Sequence, residues 1–379
     1  MRCATERLSE NPSDCGTLAA ALVLGKSLNG GKAKGQQACR SPKKNLCLAS
    51  HHSSKSAYGF SDRRLIHGVC SFRGPRGFRC LFLTGHSRFS HALAMPAFAC
   101  ILATYNRPAW TVEAVESVLA QTLGDFECIV VDDGSTDETP DRLAALNDPR
   151  LRIVPQPHRG VAAARNHGVA LSSSAWLAFL DSDDRWLPRK MEGQMAYMAA
   201  NRSLRISQTD EIWIRRGVRV NPMRKHRKSG GELFVRSLEL CVISPSAVVL
   251  ARSLFDEVGG FDETFPVCED YDLWLRITCR EPVGFLPEPL VVKRGGHDDQ
   301  LSRSAPVMDR YRIRAIDRIL RSGQLNEAQR AAAIAELERK CRIVAQGSLK
   351  RGNREEAEQL LALVREHQRL DSGFSIFDC

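Results

Sequence analysis

Two acidic clusters in this 379-residue chain each follow a short apolar run: Asp132-Asp133 and, further on, Asp181-Ser182-Asp183-Asp184. Taken singly, aspartate and serine after a strand are ordinary turn residues. Five carboxylates brought to one rim repel each other unless a divalent cation or a set of donors neutralises them. Hard oxygen ligands suit Mg2+ or Mn2+, and a metal-bound diphosphate is the natural guest of such a rim.

The elements that would carry these clusters alternate. Residues 98–103, 127–131, 151–154 and 176–180 read as strands, with helical patterns between them. Pro108 suits a first helical turn, and Val112, Val115, Val118 and Leu119 fall on one stripe behind it. Ser135 and Glu138 have capping-box spacing, which predicts a helix from there through residue 146. A third helix is expected over 160–171. This βαβαβαβ order predicts an α/β protein with a mostly parallel, Rossmann-like sheet, helices on both faces, and ligands beyond the carboxyl ends of the strands. Three of those ends are polar or acidic, at 104–106, 132–133 and 181–184. No G-x-G-x-x-G follows a strand, which disfavours a nicotinamide enzyme.

After a helix beginning near Pro188 come two short strand-like pieces, 206–209 and 211–215. The basic run Arg224-Lys225-His226-Arg227-Lys228 follows, read either as a solvated loop or as a lid over an anionic acceptor or the diphosphate. A last strand at 290–293 precedes His297. From Met308 the pattern is helical, and 326–347 with 354–368 resemble one tetratricopeptide-like hairpin. A single hairpin cannot form a solenoid, so it should pack on the rest of the domain, on a second copy or on a protein partner.

Composition sets the outer bounds. With 43% hydrophobic and 26% charged residues the chain is long enough for two or three domains with a real core. Its apolar runs fall far short of the ~20 residues a membrane helix needs. The net charge of +10 divides into +11 over residues 1–94 and −1 over 95–379, so the motif-bearing region carries no nucleic-acid signal. Residues 1–94 show little periodicity and should hold little packed structure. They read as a translated stretch ahead of a native start at Met95, or as a basic arm for RNA or an anionic membrane surface. Within them, 18–24 fails as a signal-peptide core because Glu6, Glu10 and Asp14 precede it. Gly25-Lys26-Ser27 fails as a phosphate loop because Ala20 stands where glycine is required. The 13 cysteines are scattered without metal-ligand spacing, which fits reduced thiols in a cytosolic compartment.

The motifs carry a resemblance. Ala103-Thr104-Tyr105-Asn106-Arg107, Glu116-Ser117-Val118-Leu119-Ala120-Gln121-Thr122, and residues 130–137, 160–168 and 179–184 resemble, in order and spacing, the signatures of family 2 glycosyltransferases with the GT-A fold. Cys268-Glu269-Asp270-Tyr271-Asp272-Leu273-Trp274 resembles that family's acceptor region, and the likeness spans about residues 98–300. It implies a nucleotide-diphosphate sugar donor, a divalent metal (Mg2+ or Mn2+) and inversion at the anomeric carbon.

By that resemblance Thr104 and Tyr105 border the nucleotide, with the Tyr105 ring along the base. Asp133 accepts from a uracil N–H, while Asp132 supports the loop. Arg165 is either a basic group near the donor or a helix-face surface charge. Asp181-Ser182-Asp183 is the DxD motif, with Asp181 on the ribose or a metal-bound water, Ser182 beside it, and Asp183 on the metal between the phosphates; Asp184 stands behind them. Asp270 matches the catalytic base, although a carboxylate in a first helical turn also complements the helix dipole. His297 either reaches the metal or diphosphate or is simply a polar loop residue. The implied division is donor-binding half 95–204, acceptor-binding half 205–305 and helical tail 306–379. The implied acceptor is a growing polysaccharide, a lipid-linked glycan or a protein, met from the cytoplasm or the inner membrane face. A sugar-nucleotide-binding protein without turnover and a sugar-phosphate nucleotidyltransferase are the competing readings.

Overall fold

The computed structural model describes residues 97–298, 300 and 307–371, so the readings of residues 1–94 lie outside the described residues. Its first half follows the expected alternation: β1 (Phe98–Thr104), α1 (Pro108–Leu119), β2 (Phe126–Asp132), α2 (Thr139–Ala144), β3 (Leu151–Pro155), α3 (Val161–Ala170) and β4 (Trp176–Asp181). The pleat of β1 decides which helices cover the sheet. Phe98, Cys100 and Leu102 pack with Ala114, Val115 and Val118 of α1, whereas Ala99 and Ile101 face Ala162, Ala164 and Val169 of α3. A Cβ added at Gly168 would lie 2.5 Å from Ile101 Cγ2, so the close seating of α3 on β1 depends on that glycine.

One local expectation fails. The helix after β2 begins at Thr139, not Ser135, and stops at Ala144. Ser135 is used elsewhere: its Oγ accepts the Asn106 N–H at 2.8 Å, while Asn106 Oδ1 accepts the Thr136 N–H at 2.8 Å. This reciprocal pair ties the loops after β1 and β2 together and withdraws the hydroxyl from capping.

The second half comprises β5 (Arg185–Trp186), α4 (Lys190–Ala200), β6 (Ile206–Arg215), β7 (Val218–Val220), α5 (Phe234–Glu239), β8 (Val248–Ala251), α6 (Arg252–Glu257), α7 (Glu269–Thr278) and β9 (Gly284–Gly295). The sheet order is β3-β2-β1-β4-β8-β6-β9-β5, with β7 paired to β6. Parallel pairing holds from β3 to β4, but β8 runs antiparallel to both β4 and β6, so the sheet as a whole is mixed. The two strand-like pieces at 206–215 are one strand whose register against β9 shifts on either side of Asp210. The basic run is only partly solvated, because Lys228 is buried with Nζ 3.2 Å from Glu211 Oε1 and 2.8 Å from Ser244 Oγ.

The tail forms α8 (Met308–Arg321), α9 (Glu327–Lys350) and α10 (Arg354–Asp371), and α9 opens on a complete capping box between Asn326 and Gln329. It packs on its own domain. Ile313, Ile316, Ile319, Leu337 and Val344 share a core with Phe234 and Leu238 of α5 and with Tyr271 and Leu275 of α7.

Two predictions follow from this packing. Gly168→Ala forces the added methyl against Ile101 and Val131 and should cost about 1–3 kcal/mol in urea unfolding. Lys190 is fully buried, with Nζ 3.9 Å from the Trp186 ring centroid, and burial, only partly opposed by Cys100, pushes its pKa from 10.5 down to about 7. The unfolded chain therefore binds the extra proton between those values, so the lysine's penalty is complete below about pH 7 and fades as pH rises toward 10.5. Lys190→Met should unfold at higher urea than the wild type at pH 7, with the gap narrowing by pH 10; a gap that does not change with pH would contradict the assignment.

Candidate active site

The carboxyl ends of β1, β2 and β4 form one rim. At β1, Thr104 Oγ1 is 2.6 Å from Thr111 Oγ1, which anchors the loop to α1. Tyr105 is 41% exposed and stacks on His158 at 4.2 Å between ring centroids. After β2, Asp133 is buried and ringed by donors. Its Oδ1 accepts from Gln156 Nε2 at 2.7 Å and the Arg159 N–H at 2.9 Å, and its Oδ2 accepts from the Gly160 N–H at 2.8 Å with His158 Nδ1 at 2.9 Å. Gly134, at φ +79°, permits this turn, since a Cβ there would meet the backbone nitrogen of His158 at 2.9 Å. Tyr105, Asp133, His158 and Gly160 line a cavity of about 710 Å³.

A second cavity, of about 290 Å³, shares Ala103, Arg107, Val161 and Ser182 with the first. Asp181, Asp183, Asp270 and Lys293 line it. The acidic cluster is balanced by the protein's own cations. Arg165 donates to Asp181 Oδ1 at 2.7 Å, Arg107 lies 3.3 Å from Asp183 Oδ2, and Lys293 Nζ lies 3.5 Å from Asp184 Oδ2 and 3.9 Å from Asp181 Oδ2. Burial would raise the Asp181 pKa, but Arg165, Lys293 and Arg107 outweigh it and hold that carboxyl below its usual range. Asp184 goes the other way. Burial, reinforced by Asp183 and Asp181 against the pull of Lys293, raises it to about 7. Its oxygens are taken by the Arg294 N–H at 2.8 Å and the Ser246 hydroxyl at 2.7 Å, so it faces the protein while Asp181 and Asp183 face the cavity.

Asp181, Asp183 and Asp184 each offer an oxygen within 4.8 Å of the others, a donor set of the hardness that Mg2+ or Mn2+ requires. His297 Nε2 lies 2.9 Å from Asp183 Oδ2, its ring edge-on to Trp110 at 4.5 Å. It is thus drawn in from its loop to the acidic cluster. Ser182 is buried and accepts from Arg107 at 3.4 Å.

Across the smaller cavity stands the start of α7. Cys268 precedes it at φ +64°, a left-handed conformation unusual for a residue with a side chain. Of the first-turn acids, Glu269 and Asp272 are committed inward: Glu269 Oε1 accepts from Arg165 at 2.6 Å, and Asp272 pairs with Arg276 at 2.7 Å. Burial, with Asp270 adding and Arg165 opposing, lifts Glu269 to about 7. Asp270 is half-buried at the cavity wall, where its Oδ2 accepts the Cys241 thiol at 3.2 Å and its Oδ1 the Tyr271 N–H at 2.7 Å. Burial first, then Asp270, pushes the Cys241 pKa well up, which keeps that thiol protonated as a donor.

Arg165 is therefore no helix-face surface charge. It is 5% exposed and joins Asp181 to Glu269 beneath the cavity. Sequence reasoning did not single out Lys293, Arg107, Cys241 or His158. Arg107 lay within a quoted motif and Lys293 four positions before His297, but neither position reveals which carboxylate it meets.

Comparison with known proteins now bears on this geometry. The model of glycosyl transferase family 2 matches residues 99–259. An uncharacterized glycosyltransferase of Rickettsia felis is 33% identical over 197 residues, covering 50% of this chain and 31% of that protein. The chain thus spans about a third of that relative's length. Two Escherichia coli relatives are covered further: WfaP, 31% identical over 48% of this chain and 70% of its own, and WfgD, 33% identical over 47% and 68%. Both are named UDP-Glc:alpha-D-GlcNAc-diphosphoundecaprenol beta-1,3-glucosyltransferases. The crystal structure of Staphylococcus aureus TarS with UDP aligns at a TM-score of 0.52 and 20% identity, over 64% of this chain and 71% of that one, a likeness of fold. The chain belongs to glycosyl transferase family 2, and its described residues carry the GT-A-like sheet and flanking helices that the motifs implied.

The buried bridge gives a direct test. Arg165→Met leaves Asp181 and Glu269 without their shared partner, and removing one member of a buried pair costs about 3–5 kcal/mol. Asp270→Asn keeps one of the two acceptor oxygens of a half-buried side chain and should cost less, about 1 kcal/mol. Urea unfolding of the two variants side by side measures the difference; equal stability would show that Arg165 carries no strain-bearing link.

Proposed function

We propose that the protein is an inverting glycosyltransferase that moves a sugar from a UDP-sugar to the hydroxyl of a lipid-linked glycan. The observation that carries this reading is the smaller cavity itself, which sets Asp181 and Asp183 opposite Asp270 with Arg165 holding both walls. Residues 95–204 then hold the donor and 205–305 the acceptor. The names of the two Escherichia coli relatives support the UDP donor and the diphosphate-lipid acceptor, in keeping with cell-surface polysaccharide synthesis at the cytoplasmic face of a membrane.

In this reading the larger cavity takes the nucleoside. The Tyr105 ring supplies a face for the base, Thr104 steadies the loop, and Asp133 receives a base N–H in place of the half-exposed His158, the least enclosed of its four donors. Arg107 and Lys293 stand where the diphosphate leads from one cavity to the other, with Ser182 at the shared wall. Asp183 and His297 would hold the metal and Asp181 would reach the ribose or a metal-bound water; Mg2+ or Mn2+ there would neutralise charge growing on the leaving diphosphate. Asp270 takes the proton from the acceptor hydroxyl as that oxygen attacks the anomeric carbon from the side opposite the diphosphate. The Cys241 thiol and the Tyr271 N–H hold the carboxylate at the cavity wall.

The thermal shift of the protein with UDP-, GDP-, dTDP- and CMP-sugars, with and without Mn2+, tests the donor site, since a ligand of the folded state raises the melting temperature. A Mn2+-dependent rise with a UDP-sugar, lost in Asp183→Asn, is expected. No rise with any of them would overturn the reading. Asp270→Asn should keep that shift and lower turnover by about 10²–10⁴-fold, and normal turnover would remove Asp270 from the role of base.

A further inference from the structure

Residues 212–231 contain seven lysines and arginines and no aspartate or glutamate, while the rest of 95–379 carries a net charge of −8. The fold gathers this segment into one knob. β6 turns at Arg216 and Gly217, with φ of +49° and +77°, into β7, and the chain then makes a single 3-10 turn at Arg224–His226. The buried Lys228–Glu211 pair at 3.2 Å and the Arg236 hydrogen bond to the Arg227 carbonyl at 2.9 Å are among the contacts that anchor the knob to the domain, and within it the His226 ring packs against Trp213 at 5.6 Å. It is therefore a shaped surface rather than a loose end.

What the knob presents outward is specific. Arg215, Arg216, Arg219, Arg224, Lys225 and Arg227 are all exposed, and among the described residues none of them pairs with a carboxylate. Between them stand Val218 at 65% and Met223 at 61% exposed, two of the most exposed large apolar side chains described. Cations around protruding apolar tips match an anionic lipid surface, where side chains of the first kind meet phosphates and those of the second enter between headgroups. Single-stranded nucleic acid would ask instead for exposed aromatic faces. The segment's one aromatic ring apart from histidine, Trp213, is half-buried and covered by His226 and by Arg215 at 5.6 Å.

We propose that this knob docks the protein on an anionic membrane. Arg216 and Gly217 also border a cavity of about 320 Å³ that His297, Trp110 and Arg294 line. Docking there would bring the acidic rim up to the lipid surface. The inference does not need the sugar-transfer reading, because binding is measured with no donor present.

The test is sedimentation of the full chain with phosphatidylcholine vesicles, with and without phosphatidylglycerol. Binding by itself does not discriminate, since residues 1–94 carry +11; the variants do. Replacing Arg216, Arg219 and Lys225 together by glutamine should weaken partitioning onto the anionic vesicles roughly a hundredfold at low salt. Val218→Ser with Met223→Ser should weaken it at raised salt too, where the charges are screened. All five side chains are exposed, so unchanged circular dichroism and melting temperature are expected and establish that the variants fold. Partitioning of the triple variant equal to that of the wild type overturns the proposal. So does tighter binding of a short single-stranded RNA than of the vesicles, lost in the same variant, which would assign the knob to nucleic acid.

Discussion

A single buried guanidinium holds the site together. Arg165 projects from α3, and its two nitrogens reach Asp181 at the end of β4 and Glu269 at the start of α7. Those two carboxylates are 88 residues apart in sequence and belong to opposite walls of one cavity. Burying a cation at this depth is expensive unless opposite charges surround it. Asp181, Glu269 and Asp270 do so and raise its pKa despite the desolvation. Arg165 thus ties the end of β4 to the start of α7, and neither wall can move without breaking a bond to it.

The same accounting governs the rim. Four positive or potentially positive groups, Arg107, Arg165, Lys293 and His297, lie within 4 Å of Asp181, Asp183 or Asp184. Repulsion among the carboxylates is thus relieved by the chain's own cations. Asp183 is shared between Arg107 and His297, so the cluster is no bare acidic nest.

How much of this the sequence revealed depended on whether the information was local. The strand ends before residue 182, the stripe on α1, the rim aspartates and the two tail helices all rest on periodicity or turn chemistry within a dozen residues, and each lies close to where the pattern placed it, whereas the strand read at 290–293 runs over Gly284–Gly295. Ser135 misled because a hydroxyl at capping spacing can serve a different loop, and Asn106, 29 residues earlier, claimed it. The strand at 206–215 looked broken because its register against β9 is broken at Asp210, a fact that belongs to the pairing. Nothing in the sequence singles out Lys190, and Lys228 belongs to the run read as a solvated loop or a lid. Their burial comes from the Trp186 ring in one case and Glu211 in the other, and nothing in the spacing announces either partner. The outcome for Arg165 was open for the same reason: its partners lie 16 and 104 residues away.

The position of α7 between two cores has an effect on the order of assembly. Leu273, Trp274 and Ile277 belong to the sheet's core, while Tyr271 and Leu275 belong to the one shared with α8, α9 and α10. A chain emerging from the ribosome can complete β1 to β4 early, since those contacts close over short loops. The helix that carries Asp270 meets Phe234 and Leu238 on its second flank early, but that flank is complete only when residues near 313–344 have been made. The acidic rim is thus built first and the opposing carboxylate is clamped last, so that a chain cut short before α8 would keep most of the sheet yet present Asp270 on a loosely seated helix.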